Sequence, residues 1–330
     1  MEAVSVDAIP EGPDWQYEPK WDGFRCLIFR NSDKVALQSK SGKPLTRYFP
    51  EVVATVRSLK AKTFVLDGEI VVPHGRQFSF DDLLQRIHPA KSRIDKLSVE
   101  TPALVIVFDL LGDTDGKSLM RLPLRERRPK LEAFAGKYLK GAIRLSPATI
   151  RLSSAKGWLK KVGTTLDGII AKQNSAAYAA GTRDAMMKIK NYRSADCVVG
   201  GVRHGTDSKL VGSLLLGLYD DDGLLHPVGF TSSIAKADKK ALTAKLKKLK
   251  GGPGFTGNAP GGPSRWSTER SSQWVPLKPK LVVEVCYDHF SGERFRHGTK
   301  LMRWRPDKGP QQCRMDQVKQ KKADLMKLLG

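Results

Sequence analysis

No apolar stretch in this chain is long. The strongest, around residues 103–108, is cut off by Asp109, far short of the roughly 20 residues that a membrane-crossing helix needs. Apolar side chains must therefore be buried by short strands and amphipathic helices, and no membrane partner is expected. Residues 23–29 and 34–38 read as two strands around a turn at Asn31, Ser32 and Asp33. Residues 51–59 have helical spacing, and 63–66 and 69–72 are strand pieces flanking Asp67-Gly68. Residues 79–86 read as a short helix with Ser79 as N-cap. Residues 104–109 and 168–171 are apolar runs of buried-strand type, and 124–134 is a basic helix.

The pattern changes after about residue 191. Residues 197–202, 213–219 and 281–287 are β-rich, 239–249 carries Leu242, Leu246 and Leu249 at helical spacing, and 251–263 is a Gly- and Pro-rich loop. Several strands with one interior helix suit a small β-barrel. A chain of 330 residues has room for two cores. The expected division is a first domain over 1–193 and a second over 194–330, with the boundary near 191–195.

Lys and Arg number 57 against 34 Asp and Glu, a net charge of +23. Such a surplus repels itself unless a polyanion lies nearby, and nucleic acid is the first candidate. Cys26, Cys197, Cys286 and Cys313 are widely spaced with no CxxC pair, so no zinc site is expected and a reducing cytoplasm suits them. Glu2, Asp7, Glu11 and Asp14 are followed by no apolar segment of signal type, so no secretory leader is expected. Gly116-Lys117-Ser118 ends like a phosphate-binding P-loop, but Leu111 stands where that motif needs glycine. The six histidines show no metal-ligand spacing.

Chemistry gathers elsewhere. Lys20 sits in Lys20-Trp21-Asp22-Gly23-Phe24-Arg25, followed in order by Asp67-Gly68-Glu69, by Phe108, by the string from Asp167 through Gly168 to Lys172, and by Lys188-Ile189-Lys190. One such string means little, because a lysine near a turn is usually a solvated surface residue. Together they offer a nucleophilic amine, carboxylates for a divalent cation, cations for phosphates and a flat ring for a base. Lys188 and Lys190 share a strand face, because side chains alternate.

This series resembles the motifs of the covalent nucleotidyltransferases: DNA ligases, RNA ligases and mRNA capping enzymes. The Lys20 string is similar to their motif I, Ser39-Lys40-Ser41-Gly42 to motif Ia, Asp67-Gly68-Glu69 to motif III, and Phe108 to the aromatic of motif IIIa. The strings beginning at Asp167 and Lys188 resemble motifs IV and V, and Arg303-Trp304-Arg305-Pro306-Asp307-Lys308 resembles motif VI. The resemblance runs from Tyr17 to Lys308. It is closer still to bacterial ATP-dependent ligases of the ligase C type, through Tyr48-Phe49-Pro50-Glu51, Gln85-Arg86-Ile87-His88-Pro89 and Arg294-Phe295-Arg296-His297. Two positions depart from the family pattern. Lys40 replaces the usual arginine and loses its bidentate fork. Asp167 replaces the usual glutamate and is one methylene shorter.

The resemblance implies an α+β fold: an adenylation domain of antiparallel sheets with helices, then an OB-fold β-barrel. It implies ATP as substrate, Mg²⁺ (or Mn²⁺) as cofactor, nicked duplex DNA as partner, and a monomer acting in the cytoplasm at the nucleoid. Lys20 would take AMP from ATP and pass it to the 5′-phosphate of a nick, and the 3′-hydroxyl would displace it. The attacking amine must be neutral, although a free lysine has a pKa of about 10.4. Glu18 would help read adenine, Arg25 and Glu69 would hold the ribose region, and Phe108 would stack on the base. Lys40, Lys188 and Lys190 would meet phosphates, and Glu69 and Asp167 would serve the metal. Asp307 and Lys308 would orient the pyrophosphate after a domain rotation hinged near residues 191–195. The alternatives are an RNA ligase or capping-type transferase, and a catalytically dead OB-fold nucleic-acid binder.

Overall fold

The computed structural model describes residues 1–162, 166–206, 208–260, 273–319 and 324–329. The chain divides into two compact units, Met1–Asn191 with Lys321–Gly330, and Tyr192–Gln320.

The first unit contains, in order, β1 (Val4–Ser5), β2 (Trp15–Lys20), β3 (Phe24–Asn31), β4 (Lys34–Ser39), α1 (Pro50–Ser58), β5 (Thr63–Val71), β6 (Pro73–His74), β7 (Gln77–Phe78), α2 (Phe80–Gln85), α3 (Lys91–Glu100), β8 (Leu104–Gly112), α4 (Leu124–Tyr138), β9 (Ile143–Leu145), α5 (Leu152–Val162), β10 (Gly168–Gln173) and β11 (Met186–Lys190). They build two principal sheets, one ordered β4-β3-β5-β8-β9 and the other β1-β11-β10-β2. Pairing is antiparallel except at the two edges, where β1 joins β11 and β9 joins β8 in parallel. The larger sheet buries Cys26, Ile28, Leu66, Ile70, Val105 and Val107 against Val52, Val53 and Val56 of α1 and Leu131 and Phe134 of α4. That valine spacing is the apolar stripe read from the sequence, and Pro50 suits the first turn of α1, where no backbone donor is needed. Ser79 caps α2 by accepting the Asp82 amide at 3.1 Å.

The sequence reading passed over β6, β7, β9 and α5, and over three further elements for which a physical reason is visible. β2 carries buried Gln16 and Glu18 and ends Pro19-Lys20, so its polarity and proline argue against a strand. α3 buries only Ile94 and shows no clear stripe. β1 is two residues long. Residues 324–329 return to the first unit: the Leu325 amide donates to the Arg76 carbonyl at 2.9 Å, and Leu325 is buried beside Tyr17 and Ile169.

The second unit holds β12 (Arg193–His204), β13 (Val211–Tyr219), β14 (Leu225–Thr231), α6 (Lys239–Lys247), β15 (Val275–Pro276), β16 (Val282–Tyr287), β17 (Phe290–Ser291), β18 (Arg294–Phe295) and β19 (Lys300–Trp304). The sheet order is β14-β13-β12-β16-β19, with β15 on β12. α6 lays Leu242 and Leu246 against the valines and leucines of this sheet, as its spacing requires. The barrel expected here is not a closed one among the described residues. Among the described residues its two ends are joined by one β-bridge, Thr231–Thr299, where the Thr231 hydroxyl donates to the Thr299 carbonyl at 2.8 Å, and by the Leu301 amide donating to the Ser233 hydroxyl at 2.6 Å. A bulge at Met302, between the Glu284–Arg303 and Val285–Leu301 pairs, disturbs the ladder of β19. Residues 261–263 of the expected loop lie outside the described residues. No described helix is long and apolar enough to cross a membrane.

Candidate active site

Register explains how distant strings meet. Across β2, β10 and β11 the opposed residues run Lys20–Gly168–Lys190, Glu18–Ile170–Lys188 and Gln16–Lys172–Met186. Directly opposed residues share a face of the sheet, so Glu18, Lys20, Lys172 and Lys188 project the same way. They line a cavity of about 460 Å³, within the usual size for a small-molecule site. The larger sheet closes it with Arg25, Glu69 and Phe108, and Lys40 stands at its edge just beyond β4.

Two glycines of the motif strings are there for space. A Cβ on Gly23 would lie 2.1 Å from the Ile70 carbonyl oxygen, and one on Gly168 would lie 1.9 Å from that of Ile189. Gly168 also has φ +152°, a conformation that side chains resist. Each glycine lets two backbones approach, next to Asp22 and next to Asp167.

Phe108 owes its position to a bulge. In the β5–β8 ladder Asp67 faces Asp109 and Gly68 faces Val107, so Phe108 is the unpaired extra residue between them. A bulge re-aims a side chain, and here it turns the ring into the cavity. The Lys172 ammonium lies 4.5 Å and the Arg25 guanidinium 5.8 Å from its centroid, within cation–π range.

The buried charges are paired. Lys172 donates to Glu18 at 2.8 Å, and Gln16 donates to the other oxygen at 2.8 Å. Glu18 thus spends part of its accepting capacity inside the protein, which the sequence did not suggest. Arg25 forks onto Asp67 at 3.0 and 2.6 Å, and the Tyr178 hydroxyl donates to the same carboxylate at 2.8 Å. Arg127 forks onto Asp109 at 2.9 and 3.0 Å and lies over the Tyr178 ring. The cross-strand acids Asp67 and Asp109 are therefore neutralised by one arginine each. Burial nevertheless raises the pKa of Asp109.

Lys20 donates to buried Asp167. Glu69 stands across from Arg25. Burial pushes its carboxyl up to about 8, against the pull of Lys20 and Arg25 and with help from Asp22 and Asp67. Lys188 is held below the usual lysine range, first by burial and then by Lys20, Lys190, Lys40 and Arg183. Lys20, Lys40, Arg183 and Lys188 all line the cavity, which concentrates positive charge there. Asp307 and Lys308 belong to the second unit. There Arg305 donates to Asp307 at 2.8 Å and to Asp196 at 2.9 Å, and Lys308 donates to Asp196 at 2.7 Å.

The sequence reading missed Glu2, Arg183 and Tyr178, and it gave Lys172 no role. Only Lys172 carried a signal: a lysine ending an apolar strand run needs a buried partner. The others come from segments without periodicity.

A lysine, an aromatic face and a cluster of cations around one cavity are the groups that a nucleotide site requires. Comparison with known proteins carries the assignment further. Residues 2–190 match the ATP dependent DNA ligase domain and residues 207–308 the ATP dependent DNA ligase C terminal region. The chain is 45% identical over 328 residues to DNA ligase C1 of Mycolicibacterium smegmatis, covering 96% of this chain and 91% of that one. It is 42% identical to DNA ligase C of Mycobacterium tuberculosis, covering 96% and 92%. A solved Lig E DNA ligase superposes with a TM-score of 0.57 at 13% identity, over 92% of this chain and 100% of that one, a likeness of fold alone. The chain belongs to the ATP-dependent DNA ligases.

Proposed function

We propose that Lys20 is the nucleophile of a nick-sealing reaction that passes through a lysyl-AMP intermediate. The observation that carries this reading is the placement of the Lys20 amine on the lining of a cavity that also presents Phe108, Arg25, Lys40 and Lys188. The amine attacks the α-phosphorus of ATP, a P–N bond forms, and pyrophosphate leaves. The 5′-phosphate of a nick then takes the AMP, and the 3′-hydroxyl displaces AMP to close the strand. Splitting one transfer into steps through a covalent intermediate is the gain from such a nucleophile.

Phe108 stacks on adenine, with Lys172 and Arg25 fixing the ring from its sides. Glu18 and neighbouring backbone groups contact the base edge. Arg25 and Glu69 hold the ribose region, and Lys40, Lys188 and Lys190 hold phosphates. Asp167 orients the Lys20 amine. Asp307 and Lys308 act on the pyrophosphate leaving group.

Glu69 and Asp167 fit a magnesium ion: both offer hard oxygen donors, and both lie beside Lys20. When bound, a divalent ion there would supply positive charge against phosphate charge and would favour the neutral form of the Lys20 amine. The substrate is nicked duplex DNA, gripped through its backbone by a monomer with a charge of +23, in repair at the chromosome in the cytoplasm.

Mass measurement after incubation with ATP and Mg²⁺ tests this reading. An adduct of one AMP on the protein, absent from Lys20→Ala, is the expected result. Sealing by Lys20→Ala, or labelling from GTP in place of ATP, would overturn it.

A further inference from the structure

The two ligase regions end at residues 190 and 308, yet residues 324–329 pack into the first unit. They make one turn. The Leu328 amide donates to the Leu325 carbonyl at 3.1 Å and the Leu329 amide to that of Met326 at 3.0 Å. The Asp324 carboxylate accepts the Met326 amide at 3.1 Å. The turn is fastened by the Leu325 amide on the Arg76 carbonyl at 2.9 Å, and Asp324 stands 3.8 Å from the Arg76 guanidinium.

What the turn touches bears on Lys20. β2 ends at Lys20 and β3 begins at Phe24, so Trp21, Asp22 and Gly23 carry the chain from the smaller sheet to the larger. Trp21 anchors that crossover. Its indole is buried, donates to the Ser146 hydroxyl at 2.9 Å, and stands edge-on to Phe78 with ring centroids 6.0 Å apart. Among the described residues its hydrophobic group is small, with Val71, Leu104 and Ile106 as the other buried members, and Met326, Leu328 and Leu329 pack against it. Leu325, itself buried, joins Tyr17 and Ile169. Tyr17 precedes Lys20 on β2, and Ile169 follows Asp167, whose carboxylate accepts from Lys20. The turn therefore backs the chain on both sides of the amine and beside its partner. No residue of 324–329 lines the cavity, so its influence on the reaction is exerted through position.

We propose that the C-terminal turn is a positioning element for Lys20: its apolar side chains hold the Trp21 crossover so that the amine stands in line with the α-phosphorus of ATP. The inference rests on Lys20 being the nucleophile. A reacting group keeps its geometry only when the residues behind it are locked by packing, and a displacement of about 1 Å costs on the order of 100-fold in rate. The ring of Phe108 and the Arg25–Asp67 fork are set within the larger sheet, so ATP affinity should survive loss of the turn while transfer to the amine does not. The first unit is complete only once the end of the chain has docked.

The test compares the full chain with a form ending at Gln320, with Leu325→Asp, Leu328→Ala and the conservative Leu325→Met, and with Lys327→Ala at an exposed position of the same turn. Three quantities are measured: the rate of AMP adduct formation at saturating ATP, the ATP concentration that gives half that rate, and sealing of a nick already carrying AMP on its 5′-phosphate, which needs no attack by Lys20 on ATP. Urea transitions report whether each form is folded. The shortened form and Leu325→Asp should form the adduct on the order of 100-fold more slowly, and Leu328→Ala on the order of tenfold. The half-saturating ATP concentration should stay within about twofold, and the adenylated nick should still be sealed. Leu325→Met and Lys327→Ala should keep the parent rate. An unchanged adduct rate in the shortened form overturns the proposal. So does a loss of ATP affinity or of sealing in step with the adduct rate, which marks the turn as general support of the fold. If the shortened form does not fold, Leu328→Ala decides between the same outcomes. A parent protein that forms no adduct sinks the reading of Lys20 itself, a result distinct from an adduct rate indifferent to the turn.

Discussion

Glu18 and Lys172 meet at 2.8 Å with both side chains almost wholly out of solvent, and Lys172 lies over the ring of Phe108 at the same time. One cation thus neutralises a buried acid and supports the surface on which a base is proposed to stack. Removing either partner strands a charge, which is far more costly than never having buried the pair.

Lys172→Ala should lower the unfolding free energy by about 3–5 kcal/mol, the range for breaking a buried pair. Replacing Glu18 and Lys172 together with Gln and Met should recover much of that loss. Urea denaturation of the three variants checks it, and equal losses in the single and double variants would contradict the pairing argument.

Phe108→Ala should weaken ATP binding by about 1–3 kcal/mol, the usual value of stacking a base on an aromatic ring. Pyrophosphate binding, which involves no base, should be unaffected. Competition binding with both ligands distinguishes loss of a stacking surface from general collapse of the cavity.

The raised pKa of Glu69, about 8 against a usual 4.5, predicts a pH dependence with a definite sign. The folded protein holds this proton more tightly than the unfolded chain, so stability attributable to the group is present below about pH 4.5 and is lost as pH rises towards 8. Glu69→Gln should lack that decline, and its advantage over the parent should reach roughly 1–3 kcal/mol above pH 8. Binding of Mg²⁺ should become tighter over the same window and release a proton near pH 7, which calorimetry in buffers of different ionisation heat would detect.

Binding to nicked duplex should fall steeply with salt. If about six phosphates are contacted, affinity drops on the order of 1,000-fold between roughly 50 and 200 mM salt. A flat response would show that the surplus of basic residues does not grip the DNA backbone.

The sequence made legible what depends on spacing. The valine stripe of α1, the serine cap of α2 and the leucines of α6 follow from local signals in the chain. It hid what depends on pairing between distant strands. Nothing local says that Lys172 lies opposite Gln16 and reaches Glu18, that Tyr178 shares Asp67 with Arg25, or that Glu2 meets Lys40 and Arg183. β2 stayed unread for the same reason: its buried polar residues make sense only once their partners are in place. The barrel expected of the second unit depends on how strand ends meet, and among the described residues that closure rests on one threonine bridge and a few neighbouring hydrogen bonds.

The bulge at Phe108 makes β8 indifferent to some changes and intolerant of others. Another planar side chain at that position would keep the ring's place in the cavity. A deletion would not: losing the residue between Val107 and Asp109 heals the ladder with Val107 still opposite Gly68 and Asp109 still opposite Asp67, so every other side chain keeps its face. The cavity loses its aromatic while Asp109 keeps Arg127. Drift in this strand should therefore proceed by exchange of letters and never by change of length.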